Sequence, residues 1–245
     1  MKLNVLGIIP ARYGSSRFPG KPLLDLKGKT MIQRVYEGAS LSSLITTVVV
    51  ATDDQRIYDE VVRFGGKVIM TREEHISGTD RCGEVLEHFK DVDVVINIQG
   101  DEPLIDYRQL DTLIDVFEKE EIQIATLGIK TKSMEDILNP NRIKIVVDKN
   151  DKALYFSRSS IPNFNNFSKD PLGFYPFLRH IGVYAYRAKV LTALTHLSPT
   201  ALEKIESLEQ LRWLYHGFPI HVAYTTIETP NIDSPDDVAS VLNRL

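Results

Sequence analysis

The chain has 245 residues, 43% of them hydrophobic and 25% charged, with a net charge of -4. That is enough apolar chain for one large domain, and the acidic balance argues against a basic nucleic-acid-binding face. A single cysteine, Cys82, rules out an internal disulfide framework, and no apolar run reaches the ~18 residues of a membrane-spanning helix. The opening run MKLNVLG is too short and too soon interrupted for a signal peptide, so the expected location is the cytoplasm.

Short β-branched runs alternate with amphipathic segments along the first half. Residues 3–9 form the first predicted strand, followed by a helix over Met31–Ala39 with Met31, Val35 and Ala39 on one stripe. A strand is predicted at 47–51 and a helix at 55–64, with Ile57, Val61 and Phe64 sharing a face. Then come a short strand at 67–70, a helix at 79–89, a strand at 92–98, a helix at 107–118 and a strand at 122–127. Continuous apolar strands separated by helices of this length predict βαβ units and a doubly wound, mostly parallel sheet buried on both faces.

Beyond about residue 130 the pattern becomes antiparallel. Residues 143–147 and 153–157 flank an Asp-Lys-Asn-Asp turn and read as a hairpin. Residues 163–176 lack periodicity and are expected to be a loop; 180–186 read as a strand and 202–215 as one helix. The last helix is expected to start with Ser234 as N-cap, Pro235 at its first position and Asp237 in its first turn. No linker splits the chain. The reading is a single domain, 1–245, with about 1–130 and 216–245 as one core and about 131–215 as a smaller subdomain.

The first strand runs into PARYGSSRFPGKP, at the carboxyl edge where such sheets bind ligands. Backbone amides, hydroxyls and cations together suit a polyphosphate. The P-loop pattern fails here: Gly14 and Gly20 are spaced one residue too far, and Pro22 stands where a metal-binding Ser or Thr would be. Two later carboxylates end strands or open helices: Asp101 in NIQGDEP and Asp233 in NIDSPDD. Magnesium takes oxygen ligands and keeps waters and substrate phosphates, so one or two carboxylates are enough; taken alone, Asp101 reads more readily as a turn or helix cap, and Asp233 reads also as part of the last helix's cap. Asp236 and Asp237 suit the positive end of the last helix. Ser77 and Thr79 are cap candidates around Gly78, and alternation places His180, Gly182 and Tyr184 on one strand face. The remaining histidines show no ligand spacing with Cys82 for zinc, no Gly-x-Ser-x-Gly elbow is present, and no G-x-G-x-x-G follows the first strand.

Taken together, IPARYGSSRFPGKPL, SGTDR, INIQGDEPLI, LRHIGVYAYR, LEQLR and the terminal IDSPDD resemble the CMP-Kdo synthetase family, the 3-deoxy-manno-octulosonate (Kdo) cytidylyltransferases. The resemblance implies a Rossmann-like nucleotide-diphospho-sugar transferase fold, with a mostly parallel central sheet and a smaller antiparallel C-terminal subdomain. It implies transfer of CMP from CTP to a sugar acid, supplying lipopolysaccharide synthesis. Arg12 and Lys21 would neutralise the triphosphate, and Asp101 and Asp233 would hold Mg2+. Ala11, Tyr13, Gly14 and Ser16 would shape the nucleotide site, with Thr52 and Asp53 lining it; Ser77, Gly78 and Arg81 would read cytosine. Gln99 would stand near the reacting centre, and Arg158, His180, Tyr184, Glu209 and Gln210 would surround the sugar acid. A homodimer built by the C-terminal third is also implied, with about 1–130 and 216–245 as the nucleotide-binding core and about 131–215 as the sugar-binding and dimerisation subdomain. The same chemistry on 8-amino-Kdo or a sialic acid, or a non-catalytic nucleotide sensor, would use many of these residues.

Overall fold

The structure, a computed structural model, describes residues 3–14 and 18–245. In chain order its elements are β1 (Val5–Ala11), α1 (Met31–Ala39), β2 (Thr47–Thr52), α2 (Gln55–Arg63), β3 (Val68–Met70), α3 (Gly78–Leu86), β4 (Val94–Asn97), α4 (Tyr107–Asp115) and β5 (Ile124–Lys130). They continue with α5 (Met134–Leu138), β6 (Lys144–Val147), β7 (Ala153–Ser157), α6 (Pro171–Phe174), β8 (Leu178–Arg187), α7 (Ala188–Leu194), α8 (Ala201–Glu206), α9 (Gln210–Tyr215), β9 (Ile220–Thr225) and α10 (Asp237–Leu242). The main sheet runs β3-β2-β1-β4-β8-β5-β9, and β6 pairs with both β7 and β8. Strands β1 to β4 are mutually parallel and β5 is parallel to β9, whereas β8 is antiparallel to β4, β5 and β6. The sheet is therefore mostly parallel, as the alternation predicts. The segment 131–215 supplies the antiparallel hairpin β6–β7 and also sends β8 through the middle of the sheet.

Both faces are covered, which is why the parallel strands are apolar throughout. One core packs Ile32, Val35, Ile57, Val61, Leu110 and Leu113 of α1, α2 and α4 against Val5, Ile9 and Ile96. The other packs Cys82, Val85, Leu191, Leu211 and Trp213 of α3, α7 and α9 against Leu6, Ile8, Val95 and Tyr186. A third, smaller cluster joins Leu26 and Met31 to Ile232 and Val241, so the C-terminal segment is anchored beside the loop that follows β1.

Several boundaries differ from expectation, each for a local reason. β1 starts at Val5 and runs to Ala11 because its pairing with β2 continues to Ala11↔Thr52; Asn4 is instead tied to Asp91 and Asp93. The helix expected over 202–215 is two helices. Ser207 takes a left-handed conformation (φ 52°) between them, and Arg158 Nε caps the break by donating to the Glu206 carbonyl at 2.7 Å. The 163–176 loop contains α6, N-capped by Asp170 with Pro171 at its start. α10 begins at Asp237, not beside Ser234: the Asp237 carboxylate accepts from the Asp233 and Ser234 amides and the Ser234 hydroxyl, so Ser234 is a donor and not the cap. α7 and β9 were not anticipated, although IHVAYT alternates as a strand should.

The turn after β4 is close to β1. A Cβ at Gly100 would stand 2.8 Å from the Pro10 carbonyl oxygen, which is backbone and cannot swing away. Gly100→Ala is therefore expected to destabilise the fold by about 1–3 kcal/mol through overpacking, read as a lowered urea midpoint. A midpoint equal to wild type would show that this approach is not tight.

Candidate active site

Three adjoining cavities open along the carboxyl ends of β1 and β4. The first, about 280 Å³, is lined by Pro10, Ala11, Arg12, Ser77, Gly78, Thr79, Arg81, Asn97, Gln99, Tyr184 and Glu209, with His75 and Ile76 at its wall. The second, about 270 Å³, shares Pro10, Ala11, Arg12 and Gln99 and adds Lys21, Gly100, Asp101 and Asp233. The third, about 290 Å³, shares Gln99, Asp101 and Asp233 and adds Glu102, Arg142, Arg179, His180, Thr229 and Asn231. Gln99 lines all three.

The second cavity is assembled from three distant stretches of chain. Lys21 Nζ donates to Asp101 Oδ2 at 2.9 Å and to the Ile232 carbonyl at 2.7 Å. The Ile232 amide donates to the Asp101 carbonyl at 2.9 Å. Residues 21, 101 and 232 thus form one junction, which sets Asp233 beside Asp101 on the cavity wall. Asn231 Nδ2 holds Asp233 Oδ2 at 2.7 Å. Beside Lys21, the Gly20 amide donates to the Tyr13 carbonyl at 3.0 Å, with Gly20 at φ 73°. The Tyr13 ring faces away to carry the Arg56 guanidinium 3.3 Å above its centre.

In the first cavity, Ser77 N-caps α3 by accepting from the Asp80 amide at 3.1 Å, which leaves Gly78 facing the opening. Glu209 stands at the start of α9, where the break at Ser207 sets it toward α3, and accepts from Thr79 Oγ1 at 2.8 Å. Burial raises its carboxyl pKa, opposed by hydrogen bonds from Thr79 and Ser77. Burial likewise lifts the Tyr184 hydroxyl well above its ordinary value. Arg81 is largely buried in this wall, held by Asp53 at 2.5 Å and by Thr71.

His180 borders the third cavity, 5.2 Å ring to ring from Tyr184, so the two share a sheet face as alternation predicts. Its Nε2 meets Thr126 Oγ1 at 2.9 Å. Burial, reinforced by the Arg179 charge, depresses its pKa to about 3. A histidine kept neutral in the fold but protonated in the unfolded chain below its ordinary pKa loses stability as pH falls from about 6.5 toward 3. Replacing His180 by Gln should therefore flatten this loss, by about 1–2 kcal/mol at pH 5. Parallel denaturation curves of both proteins from pH 7 to pH 4.5 would contradict that environment.

Other sequence-predicted residues lie outside these cavities. Thr52 is buried and accepts from the Asp54 amide at 3.2 Å; Asp53 reaches the first cavity only through Arg81. Arg158 is engaged with Glu206, Ser207 and Pro140, and Gln210 is buried without lining any of the three. Tyr13 and Gly14 sit beside the second cavity's loop without lining it, and Ser16 lies outside the described residues. Sequence reasoning did not single out Asn97, Asn231, Arg142 or Arg179. Asn97 and Arg179 lie inside INIQGDEPLI and LRHIGVYAYR and Asn231 precedes IDSPDD, which was the available signal; Arg142 precedes only a predicted strand and carried none.

With this geometry in hand, the cytidylyltransferase family model matches residues 6–225. The chain belongs to the cytidylyltransferase family. It is 50% identical to the 3-deoxy-manno-octulosonate cytidylyltransferase of Cytophaga hutchinsonii, over 98% of this chain and 96% of that one. It is 47% identical to the 8-amino-3,8-dideoxy-manno-octulosonate cytidylyltransferase of Shewanella putrefaciens, over 99% of each. Among solved structures it resembles a CMP:2-keto-3-deoxy-manno-octonic acid synthetase complexed with CTP, with a TM-score of 0.91 and 43% identity over 98% of each chain. From the motifs that carry the sequence resemblance, Ala11, Arg12, Lys21, Ser77, Gly78, Arg81, Gln99, Asp101, His180, Tyr184, Glu209 and Asp233 line the three cavities.

Proposed function

We propose that this chain transfers CMP from CTP to Kdo, giving CMP-Kdo and pyrophosphate. One observation carries the reading. Gln99 joins a cation- and carboxylate-lined cavity to two polar cavities suited to a base and a sugar acid. The anomeric hydroxyl oxygen of the acceptor bonds to the α-phosphorus as its proton passes to water and the bond to the bridging oxygen breaks, releasing pyrophosphate. Such a step asks the protein for positioning and charge neutralisation more than for covalent chemistry. Arg12, exposed between the first two cavities, and Lys21 supply positive charge to the triphosphate. Ser77 and Gly78 take the base, while Tyr184, Glu209 and His180 bound the acceptor's space.

The donor set suits magnesium. Asp101 and Asp233 present hard oxygens on one wall, and among the described residues no cluster of three or more acidic, His or Cys side chains offers an all-protein metal cage. Two carboxylates with the remaining positions left to water and phosphate are what Mg2+ accepts. Held there, the ion would neutralise phosphate charge and polarise the phosphoryl group.

Pyrophosphate release with CTP, Mg2+ and Kdo, run beside ATP, GTP and UTP, without metal, and with 8-amino-Kdo and sialic acid, tests the whole reading. Release that needs CTP, metal and Kdo is the expected result. Preference for 8-amino-Kdo, the acceptor named for the Shewanella relatives, would keep the chemistry and change the acceptor. CTP binding without release would favour a nucleotide sensor. We also place the protein in the cytoplasm as a homodimer serving lipopolysaccharide synthesis. In support, no helix among the described residues is long and apolar enough to cross a membrane, and Leu138, Leu154, Phe174 and Ile205 expose apolar surface in the 131–215 segment.

A further inference from the structure

We propose that Asn97 is a substrate-contacting, specificity-determining residue whose carboxamide hydrogen-bonds a sugar hydroxyl; this rests on the functional reading above. Asn97 ends β4 and is only 5% exposed. Its Oδ1 is buried and meets no hydrogen-bond partner among the described residues. Buried polar atoms in folded proteins are paired with few exceptions, and an exception in a cavity wall is met by water or by a ligand that displaces it.

The surroundings direct the carboxamide into the first cavity. In the sheet, Asn97 lies between Ile8 of β1 and Tyr184 of β8. Across from it is Gly78, where an added Cβ would stand 3.4 Å from Asn97 Nδ2 and 3.3 Å from Pro10. The bare glycine thus keeps a path open between the amide and the cavity. The same cavity presents the Glu209 carboxylate and Tyr184. A hydroxyl both donates and accepts, and an amide beside a carboxylate matches both halves of a hydroxyl pair. A phosphate oxygen fits poorly, since it offers no proton to Glu209. The hydroxyls belong either to the acceptor sugar acid or to the ribose of CTP, and the experiment separates these sources.

Asn97→Ala and Asn97→Ser are compared with wild type using CTP, 2′-deoxy-CTP and 3′-deoxy-CTP at saturating Kdo, and using varied Kdo at saturating CTP. The expected result is a rise of about tenfold or more in KM for one substrate alone, with an unchanged melting temperature. A rise in the Kdo KM alone assigns the contact to the acceptor. A rise in the CTP KM that disappears with one deoxy nucleotide assigns it to the ribose. Unchanged KM for both substrates, or equal rises in both with a lowered melting temperature, would overturn the proposal. If wild type releases no pyrophosphate, the functional reading fails by itself. Calorimetric titration of CTP and of Kdo into wild type and Asn97→Ala then gives the same comparison through Kd.

Discussion

Asp101→Asn is expected to lower turnover by at least about 100-fold while leaving the fold intact. The substitution keeps the size and planarity of the side chain but removes its charge. The main-chain tie between Asp101 and Ile232 does not involve the side chain, and Lys21 keeps the Ile232 carbonyl as acceptor. The junction should therefore survive, with melting temperature close to wild type. What is lost is one of the two carboxylates that face the second cavity. If Asp101 serves as a magnesium ligand, the variant should also need a higher magnesium concentration for half-maximal activity. Calorimetric titration of metal into the nucleotide complex gives a reading independent of turnover. Turnover within a few-fold of wild type, with an unshifted magnesium requirement, would remove Asp101 from the site.

Lys21→Met should be nearly as damaging, for a different reason. Methionine preserves the buried stem, so packing changes little, but the ammonium vanishes from a position only 13% exposed. Two effects then add. The triphosphate loses a neutralising cation, and Asp101 and the Ile232 carbonyl lose their shared donor. The expected outcome is a fall of about 100-fold or more in kcat/KM, with KM for CTP raised and KM for Kdo little changed. A loss confined to the Kdo KM would place Lys21 on the wrong substrate. A collapse in melting temperature with normal residual kinetics would make the lysine a purely structural tie.

Much of the fold could be read from local chemistry. Strands such as TVVVAT are apolar on both faces, and helices such as α1 carry one apolar stripe; these periods depend on near neighbours in sequence. The antiparallel passage of β8 between β4 and β5 was not readable, because sheet order is set by long-range packing. The break at Ser207 was missed for a related reason. Residues 202–215 have helix-forming composition, and what stops the helix is a contact from Arg158, far away in sequence.

The sequence by itself determined the chemical inventory: a cation-bearing turn after the first strand, carboxylates at 101 and 233, and a capping turn at Ser77. It also determined the family, since those motifs are contiguous stretches. Only the tertiary structure decided which of these groups share a wall. It brings Lys21, Asp101 and Ile232 into one hydrogen-bonded junction, makes Gln99 common to three cavities, and directs Arg158 to helix ends instead of a cavity. It also isolates the Asn97 amide oxygen at a cavity floor. The physical reason is the same throughout. Residue type fixes what a side chain can donate or accept, but whether a partner stands within 3 Å depends on chain segments 48 to 211 residues away in these contacts.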